Sequence, residues 1–394
     1  MQDKKKISLF TFYFIITYVI YALGNTQYIP YLTKIGYSAM ERSILLSLIA
    51  LIAMLFQWFF GYLSDKLKTV KKILLFSFIA YALLSYFFYS NETKLFTFHC
   101  MTLALSGGFY YLVFDLSDSW VLESGKKVNQ YYSFIRAFGS VGWALGSIIT
   151  SQLIVFYGYQ SVGITMMLLI VISNSILLLI PDAIKEKEHS NLQMRDIKVL
   201  LTDKKYILAI ITLFTLFSIN VLNMYPMVDK IILLGGGSVE IGYKNIIQAL
   251  IEVPMFFLGT KLARKLSPYA FIGISAIAFG IQFILLSLTT SVDTIILLCF
   301  MQIFTYPFML MAAKKLIFDL SPSHLKSSGQ LFAFSILNSF TAFIIPLISG
   351  IITSLFGINA SILFGVVLAI LTLCLLFILI RVSKQSEVQY EYPR

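Results

Sequence analysis

Long apolar runs separated by short polar breaks extend along almost the entire chain. Each run is close to the length of about 20 residues that one helix needs to cross the hydrocarbon core of a bilayer. One long polar segment divides the runs six and six. The pattern predicts an all-α membrane protein with twelve transmembrane helices in two six-helix halves, at residues 7–31, 43–63, 73–90, 95–120, 131–157, 160–181, 205–228, 241–260, 269–288, 293–317, 329–354 and 358–382.

The domain organisation follows from that division. We predict an N-terminal bundle, a cytoplasmic linker, a C-terminal bundle and a cytoplasmic tail, at 1–181, 182–204, 205–382 and 383–394. A weak repeat supports the duplication, because GYLSDKLKTVKK begins at Gly61 and GTKLARKLSPY begins at Gly259, 198 residues later in a chain of 394. Many transporters are built from such repeats, with the substrate site near the bilayer midplane between them.

Composition and charge agree with a membrane protein. Hydrophobic residues make up 58% and charged residues 12% of the chain, against roughly 45–50% and about 25% in soluble domains. The net charge of +11 comes from basic residues that flank the apolar runs, so it indicates membrane topology and not nucleic-acid binding. We expect the lipid bilayer and a small-molecule substrate as partners, a monomer, no cofactor, no metal site and no enzymatic activity.

The distribution of Lys and Arg predicts the orientation. Twenty-four of the 30 basic residues fall in segments on the same side as both termini, five fall on the other side, and Arg136 lies inside an apolar run. Cytoplasmic loops carry the excess of Lys and Arg. We therefore expect a multi-pass protein of the cell membrane with both termini in the cytoplasm.

A short motif follows the second apolar run. The sequence Gly61-Tyr62-Leu63-Ser64-Asp65-Lys66 resembles the cytoplasmic signature of the major facilitator superfamily. The resemblance implies a conformational role, in which Gly61 permits close helix packing and Asp65 pairs with a helix end or a basic residue. Lys66 completes the motif.

An ionisable residue inside an apolar run costs about 2.5–3.5 kcal/mol and is therefore a candidate site residue, and we single out four of them. Asp115 and Asp118 lie three residues apart in the fourth run, Arg136 begins the fifth and Glu252 is midway along the eighth. Antiparallel neighbouring helices could place Asp118 against Arg136, as a solute-binding group or as a structural ion pair. Trp143 follows Arg136 by two helical turns and could stack on a sugar ring, or face lipid.

These residues resemble those of the lactose permease and its relatives, the oligosaccharide:proton symporters. The resemblance rests on FGYLSDKL at 60–67, on RAFGSVGWAL at 136–145 and on Asp118, eighteen residues before Arg136. It covers residues 7–150 and is thin afterwards. It implies that Asp118 and Arg136 bind solute hydroxyls and that Trp143 stacks on the sugar ring.

The second half departs from that family. By position, Gln302 replaces the family's histidine and Thr305 its proton-carrying glutamate, while Gln248 falls near a helix 8 carboxylate and Asn338 falls at a helix 11 lysine. The resemblance therefore implies Gln248, Gln302 and Asn338 as solute contacts, without the family's proton relay.

Glu252, beside Pro254, is then the leading candidate for a proton carrier. If its carboxyl is only hydrogen-bonded to another helix, either Asp115 or Asp118 carries the proton, or the protein is a facilitator. We expect a secondary transporter of a saccharide or nucleoside-like solute, working by alternating access with proton symport and a proton gradient as the coupling source. A proton-coupled drug or metabolite exporter and a non-transporting receptor or lipid-handling scaffold are the alternatives.

Overall fold

The computed structural model describes residues 2–183, 200–262, 265–322 and 326–391, and all regular secondary structure within them is helical. The first eight helices are α1 Gln2–Asn25, α2 Tyr28–Lys34, α3 Ala39–Leu67, α4 Lys71–Ser90, α5 Phe96–Glu123, α6 Lys126–Gln130, α7 Tyr132–Tyr157 and α8 Gln160–Leu179. The later ones are α9 Lys204–Met224, α10 Pro226–Leu233, α11 Ser238–Leu262, α12 Pro268–Leu288, α13 Val292–Leu298, α14 Tyr306–Leu320, α15 Lys326–Phe334, α16 Thr341–Phe356 and α17 Ile358–Glu391.

Eleven helical stretches in the described residues are long and apolar enough to cross a membrane. Several of them combine consecutive helices, such as α1 with α2 and α9 with α10. The predicted span at 241–260 is the one without a counterpart among these eleven. It corresponds to α11, whose 25 residues cover about 37 Å but include Glu240, Lys244 and Glu252. The prediction of an all-α, multi-pass membrane fold is confirmed.

The predicted helices are interrupted where the apolar pattern shows no break. A 3-10 segment, Cys299–Phe304, separates α13 from α14, and a π-helical turn, Ser335–Phe340, separates α15 from α16. Pro226 begins α10 and Pro307 lies in the first turn of α14. Proline lacks a backbone N–H and ends the helix before it. The breaks before α10 and before α14 therefore have a local cause in the sequence.

The chain forms two compact units. The first contains Met1–Lys187 together with Val228–Val253, and the second contains Glu188–Met227 together with Pro254–Arg394. The segment Val228–Val253 thus groups with the first six predicted helices, although it follows the polar segment in the sequence. The division into bundles at 1–181 and 205–382 stays a prediction.

In the first unit α1 packs against α7 and α8, α3 against α5, and α4 against α5 and α8. Glycines of α7 allow the close approach of α1: a Cβ on Gly146 would lie 2.7 Å from the Cβ of Ala22, and one on Gly142 would collide with the carbonyl oxygen of Ile15. Small residues at such a contact permit helices to approach closely in membranes. The core of this unit includes Trp120, which is fully buried and 5.2 Å from Phe10 between ring centroids.

In the second unit α17 packs against α9, α12 and α16, and α12 also packs against α14. The hydroxyls of Thr215 and Thr372 hydrogen-bond at 2.8 Å between α9 and α17. Gly365 of α17 contacts the ring of Phe283 of α12. These contacts fix α9 and the broken helix α13–α14 in one framework.

Candidate solute-binding site

Asp118 of α5 and Arg136 of α7 come together, as the sequence predicts. The Nε of Arg136 lies 3.8 Å from an oxygen of Asp118, and their side chains are 31% and 21% exposed. A tight charge-assisted hydrogen bond measures about 2.7–2.9 Å, so the guanidinium is not clamped on the carboxylate. The hydroxyl of Tyr132, the first residue of α7, interacts with both groups.

Two aromatic rings also lie close to the guanidinium. The Arg136 Cζ lies 4.7 Å from the ring centroid of Tyr18 and 5.1 Å from that of Phe114. A guanidinium within about 6 Å of an aromatic centroid is attracted to the negative face of the ring. Arg136 is therefore positioned by a carboxylate and by two rings from different helices.

The rings continue into a wall formed by α1 and α5. Tyr21 lies 5.0 Å from Tyr18 and 4.9 Å from Tyr110 between ring centroids. Phe114 contacts Tyr18 at 5.8 Å. The buried hydroxyl of Tyr21 has no hydrogen-bond partner among the described atoms. We call Tyr18, Tyr21, Tyr110 and Phe114 the aromatic wall.

The aromatic wall did not emerge from the sequence. Tyr18 and Tyr21 are three residues apart and Tyr110 and Phe114 four apart, the spacing of one helical face. The same spacing is typical of core residues, so only the position of Arg136 over the rings singles out this face.

Trp143 lies on α7 two turns after Arg136 and is half-buried. The same stretch of α7 contacts α1 through Gly139, which lies beside the Tyr18 ring, and through Gly142. Trp143 thus occupies the helix that carries Arg136. Its role as a stacking surface stays a prediction.

Asp115 and Asp118 contact different helices. Asp115 is exposed and accepts a hydrogen bond of 2.5 Å from the amide of Gln57 on α3, whereas Asp118 pairs with Arg136 on α7. Three residues correspond to a rotation of about 60° on an α-helix, which is enough to separate their partners. Only Asp118 is in the ion pair.

The remaining predicted site residues lie on later helices. Gln248 and Glu252 are half-buried and four residues apart on α11, so they share one face. Gln302 is buried in the 3-10 segment and accepts hydrogen bonds from Asn223 and Thr305. Asn338 is exposed in the π-helical turn.

The motif at the end of α3 differs in part from its expected role. A Cβ on Gly61 would meet no described heavy atom within 4 Å, so the expected close helix packing at Gly61 is wrong for this conformation, because that side of α3 faces open space. Lys66 lies 5.9 Å from the ring centroid of Tyr62. The prediction for Asp65 concerns a side chain outside the described residues.

A different carboxylate caps the helix after this motif. Asp182 accepts hydrogen bonds from the hydroxyl of Thr69 and from the backbone N–H groups of Val70 and Lys71, at the start of α4. Burial alone would raise the pKa of Asp182, but these bonds and one from the Ala183 N–H together lower it below its usual range. The first turn of α4 is thereby tied to the end of α8.

A buried ion pair joins α3 to α10 within the first unit. Arg42 donates at 2.7 Å to Asp229, with side chains only 10% and 20% exposed, and also donates to the carbonyl of Tyr37 at 2.8 Å. Neither residue of this pair stands out in the sequence, since the two are 187 positions apart.

The start of α11 is held by the same unit. The carbonyl of Ser238 accepts hydrogen bonds from Gln27 at 3.2 Å and from Ser151 at 2.8 Å. Gly242 lies directly against the Ser151 side chain. Gln27, just before α2, and Ser151 of α7 therefore anchor α11, the helix that carries Gln248 and Glu252.

The spanning helices define a multi-pass membrane protein, in which a half-buried ion pair adjoins the aromatic wall. The chain belongs to the MFS_1 like family, whose model matches residues 7–364. The predicted membership of the major facilitator superfamily is confirmed, and the chain is a secondary transporter and not an enzyme.

Individual relatives are more distant. A lactose permease of Klebsiella oxytoca is 36% identical over 118 residues, which are 29% of this chain and only 28% of that protein. The crystal structure of the nucleoside transporter NupG has a TM-score of 0.78 at 14% identity and covers 95% of this chain and 98% of its own. A bacterial homologue of the lysosomal transporter Spinster, solved inward-facing and unoccupied, has a TM-score of 0.77 at 10% identity, with 96% and 97% covered.

A transporter of the POT family in complex with a thioalcohol-conjugated peptide has a TM-score of 0.73 at 13% identity, covering 95% of this chain and 96% of its own. At such identities the structural matches establish the fold alone.

Proposed function

We propose that the chain carries a small polar solute, a saccharide or a nucleoside-like molecule, across the cell membrane by alternating access. Both termini lie in the cytoplasm, the chain acts as a monomer, and transport is coupled to proton symport. The observation that carries this proposal is Arg136, held between the Asp118 carboxylate and the faces of Tyr18 and Phe114.

Sugars and nucleosides combine hydroxyls with a ring that has an apolar face. A carboxylate and a guanidinium can hydrogen-bond the hydroxyls, while aromatic rings pack on the apolar face. Asp118 and Arg136 supply the first kind of contact and the aromatic wall the second. Trp143, Gln248, Gln302 and Asn338 are the further solute contacts that we propose.

Proton symport requires a carboxyl group that changes its protonation during the cycle. Glu252 on α11 is the leading candidate. Asp118, whose protonation would release Arg136 toward a solute, and Asp115, hydrogen-bonded to Gln57, are the other two. Each is tested by an isosteric amide variant, which removes the titrating group and keeps its shape.

Solute uptake by proteoliposomes tests the site. Arg136→Lys keeps the charge but loses the planar fork that makes bidentate bonds and stacks on rings, so we expect exchange of a galactoside or uridine to fall by at least tenfold. Arg381→Lys is the matched control, since Arg381 lies 4.3 Å from the Phe377 ring centroid near the end of α17. Equal effects of the two variants would contradict the proposed site.

The second candidate is a proton-coupled exporter of drugs or metabolites. The aromatic wall favours it, because contiguous rings can also bind diverse apolar cations. An exporter of this kind should retain transport of at least some dyes in Arg136→Lys, whereas a saccharide site should not.

A further inference from the structure

The second unit contains a buried polar cluster where two helices are interrupted. Helix α9 ends at Met224 just before Pro226, and the 3-10 segment Cys299–Phe304 ends at Thr305, whose φ of −97° and ψ of −90° are not helical. In membrane proteins such irregular backbone is tolerated only where protein buries it or a cavity adjoins it. Broken helices carry substrate and ion sites in many transporters.

Side chains from these breaks are hydrogen-bonded to each other. The Nδ2 of Asn223 donates to the Oε1 of Gln302 at 3.3 Å, and the Thr305 hydroxyl donates to the same oxygen at 3.2 Å. Ser275 of α12 donates to the Thr305 carbonyl at 2.9 Å. All four residues are buried, Asn223 at 3% and Gln302 at 5% exposure. We call these four residues the amide cluster.

One acceptor in the amide cluster is unsatisfied. The Oδ1 of Asn223 is buried and receives no hydrogen bond from any described atom. Buried polar groups are almost always hydrogen-bonded, and leaving one unsatisfied carries a free-energy penalty. The Oε1 of Gln282 on α12 is unsatisfied in the same way, but only the Asn223 oxygen lies at a helix break beside the amide of Gln302.

The four members of the amide cluster are all uncharged. Two amides and two hydroxyls in a buried setting cannot compensate an ionised ligand group, whose desolvation is costly without an opposite charge. The open Oδ1 of Asn223 needs a hydrogen-bond donor, and an uncharged O–H or N–H is the donor that such surroundings accept. The side-chain amide of Gln302 lies next to that of Asn223.

We propose that Asn223 is a solute-binding residue that accepts a hydrogen bond from one uncharged O–H or N–H group of the transported solute, next to Gln302. This inference rests on the proposed function, because it assumes a saccharide or nucleoside-like solute. Asn223 then determines which hydroxyl or ring N–H the protein requires. In the present conformation Asn223 is closed to water, so the solute reaches it in another state of the cycle.

The test measures the affinity of purified protein for uridine, methyl galactoside and analogues that each lack one donor, such as 3-methyluridine and single deoxygalactosides. Asn223→Leu should weaken binding of the parent solute about tenfold, as expected for one lost hydrogen bond with an imperfectly solvated partner. For the one analogue that lacks the matching donor, wild type and variant should bind equally. Gln282→Leu, which alters another buried amide of the same unit, should leave all affinities unchanged.

Three results would overturn the inference. The first is an unchanged affinity in Asn223→Leu. The second is an equal loss of affinity for every analogue, which indicates a structural role. The third is solute binding that requires sodium, which would make the amide cluster a cation site. Thermal unfolding without solute gives a second readout. A solute-binding asparagine leaves the Tm of Asn223→Leu unchanged or raised, whereas a structural one lowers it.

The unfolding experiment does not depend on the solute. If wild type binds neither uridine nor any galactoside, the proposed function fails, and the Tm of Asn223→Leu still decides the role of Asn223.

Discussion

The ion pair between Arg42 and Asp229 gives a stability prediction whose size follows from its burial. The pair is 2.7 Å long with side chains 10% and 20% exposed. Removing one partner of such a pair leaves a buried charge without compensation and costs about 3–5 kcal/mol. Arg42→Ala also removes the bond to the Tyr37 carbonyl, so we expect a loss at the upper end of that range.

The chain offers a matched control. Lys34 and Glu92 form an ion pair of nearly the same length, 2.8 Å, but their side chains are 52% and 62% exposed. Exposed pairs contribute about 0–1 kcal/mol, because water and salt screen them and ordering long side chains costs entropy. Lys34→Ala should therefore change the free energy of unfolding by less than about 1 kcal/mol.

The assay is reversible denaturant unfolding of the purified protein in micelles, with Arg42→Ala, Asp229→Ala, Lys34→Ala and the double variant Arg42→Leu/Asp229→Leu. The double variant should recover much of the loss, since replacing both charges by apolar groups leaves none uncompensated. Two results would contradict an uncompensated buried charge: Arg42→Ala destabilises no more than Lys34→Ala, or the double variant loses as much stability as Arg42→Ala and Asp229→Ala together.

Three further predictions concern other parts of the chain. Gly142→Ala should abolish monodisperse protein in size-exclusion chromatography, because the new Cβ meets the backbone of Ile15, while Gly61→Ala should behave as wild type. The depressed pKa of Asp182 contributes stability above the unfolded pKa of about 3.9, and this is lost as pH falls through the folded pKa. Asp182→Asn should thus be less stable than wild type at pH 7, with a Tm difference that shrinks toward pH 3; a constant difference would contradict this. Trp143→Phe should weaken galactoside exchange several-fold if the indole stacks on the ring, and an unchanged rate would remove Trp143 from the site.

The fold could be predicted from the sequence because membrane spans depend on a local property. About 20 apolar residues must satisfy their own backbone hydrogen bonds in lipid, and a helix is the only single segment that does so. The predicted run at 131–157 corresponds to α7, Tyr132–Tyr157, for this reason. The apolar run continues through the 3-10 segment Cys299–Phe304, so hydropathy alone does not show this break, and only Pro307 marks it locally.

The candidate site was predictable only where charge made it unusual. Asp118 and Arg136 stood out as ionisable groups in apolar helices, and the short connection between α5 and α7 brought them together. Tyr18 and Tyr21 have the spacing of ordinary core residues. The pairing of Arg42 with Asp229 depends on tertiary packing that no local pattern encodes.

In the function that we propose, solute transport is coupled to protons through the site at Arg136. The most direct test is to add a saccharide or a nucleoside to proteoliposomes without a pH gradient and to record the external pH. We expect alkalinisation that accompanies solute uptake, is absent in Arg136→Ala and persists in Arg381→Lys. Solute uptake without any pH change, or proton movement with dyes alone, would contradict it.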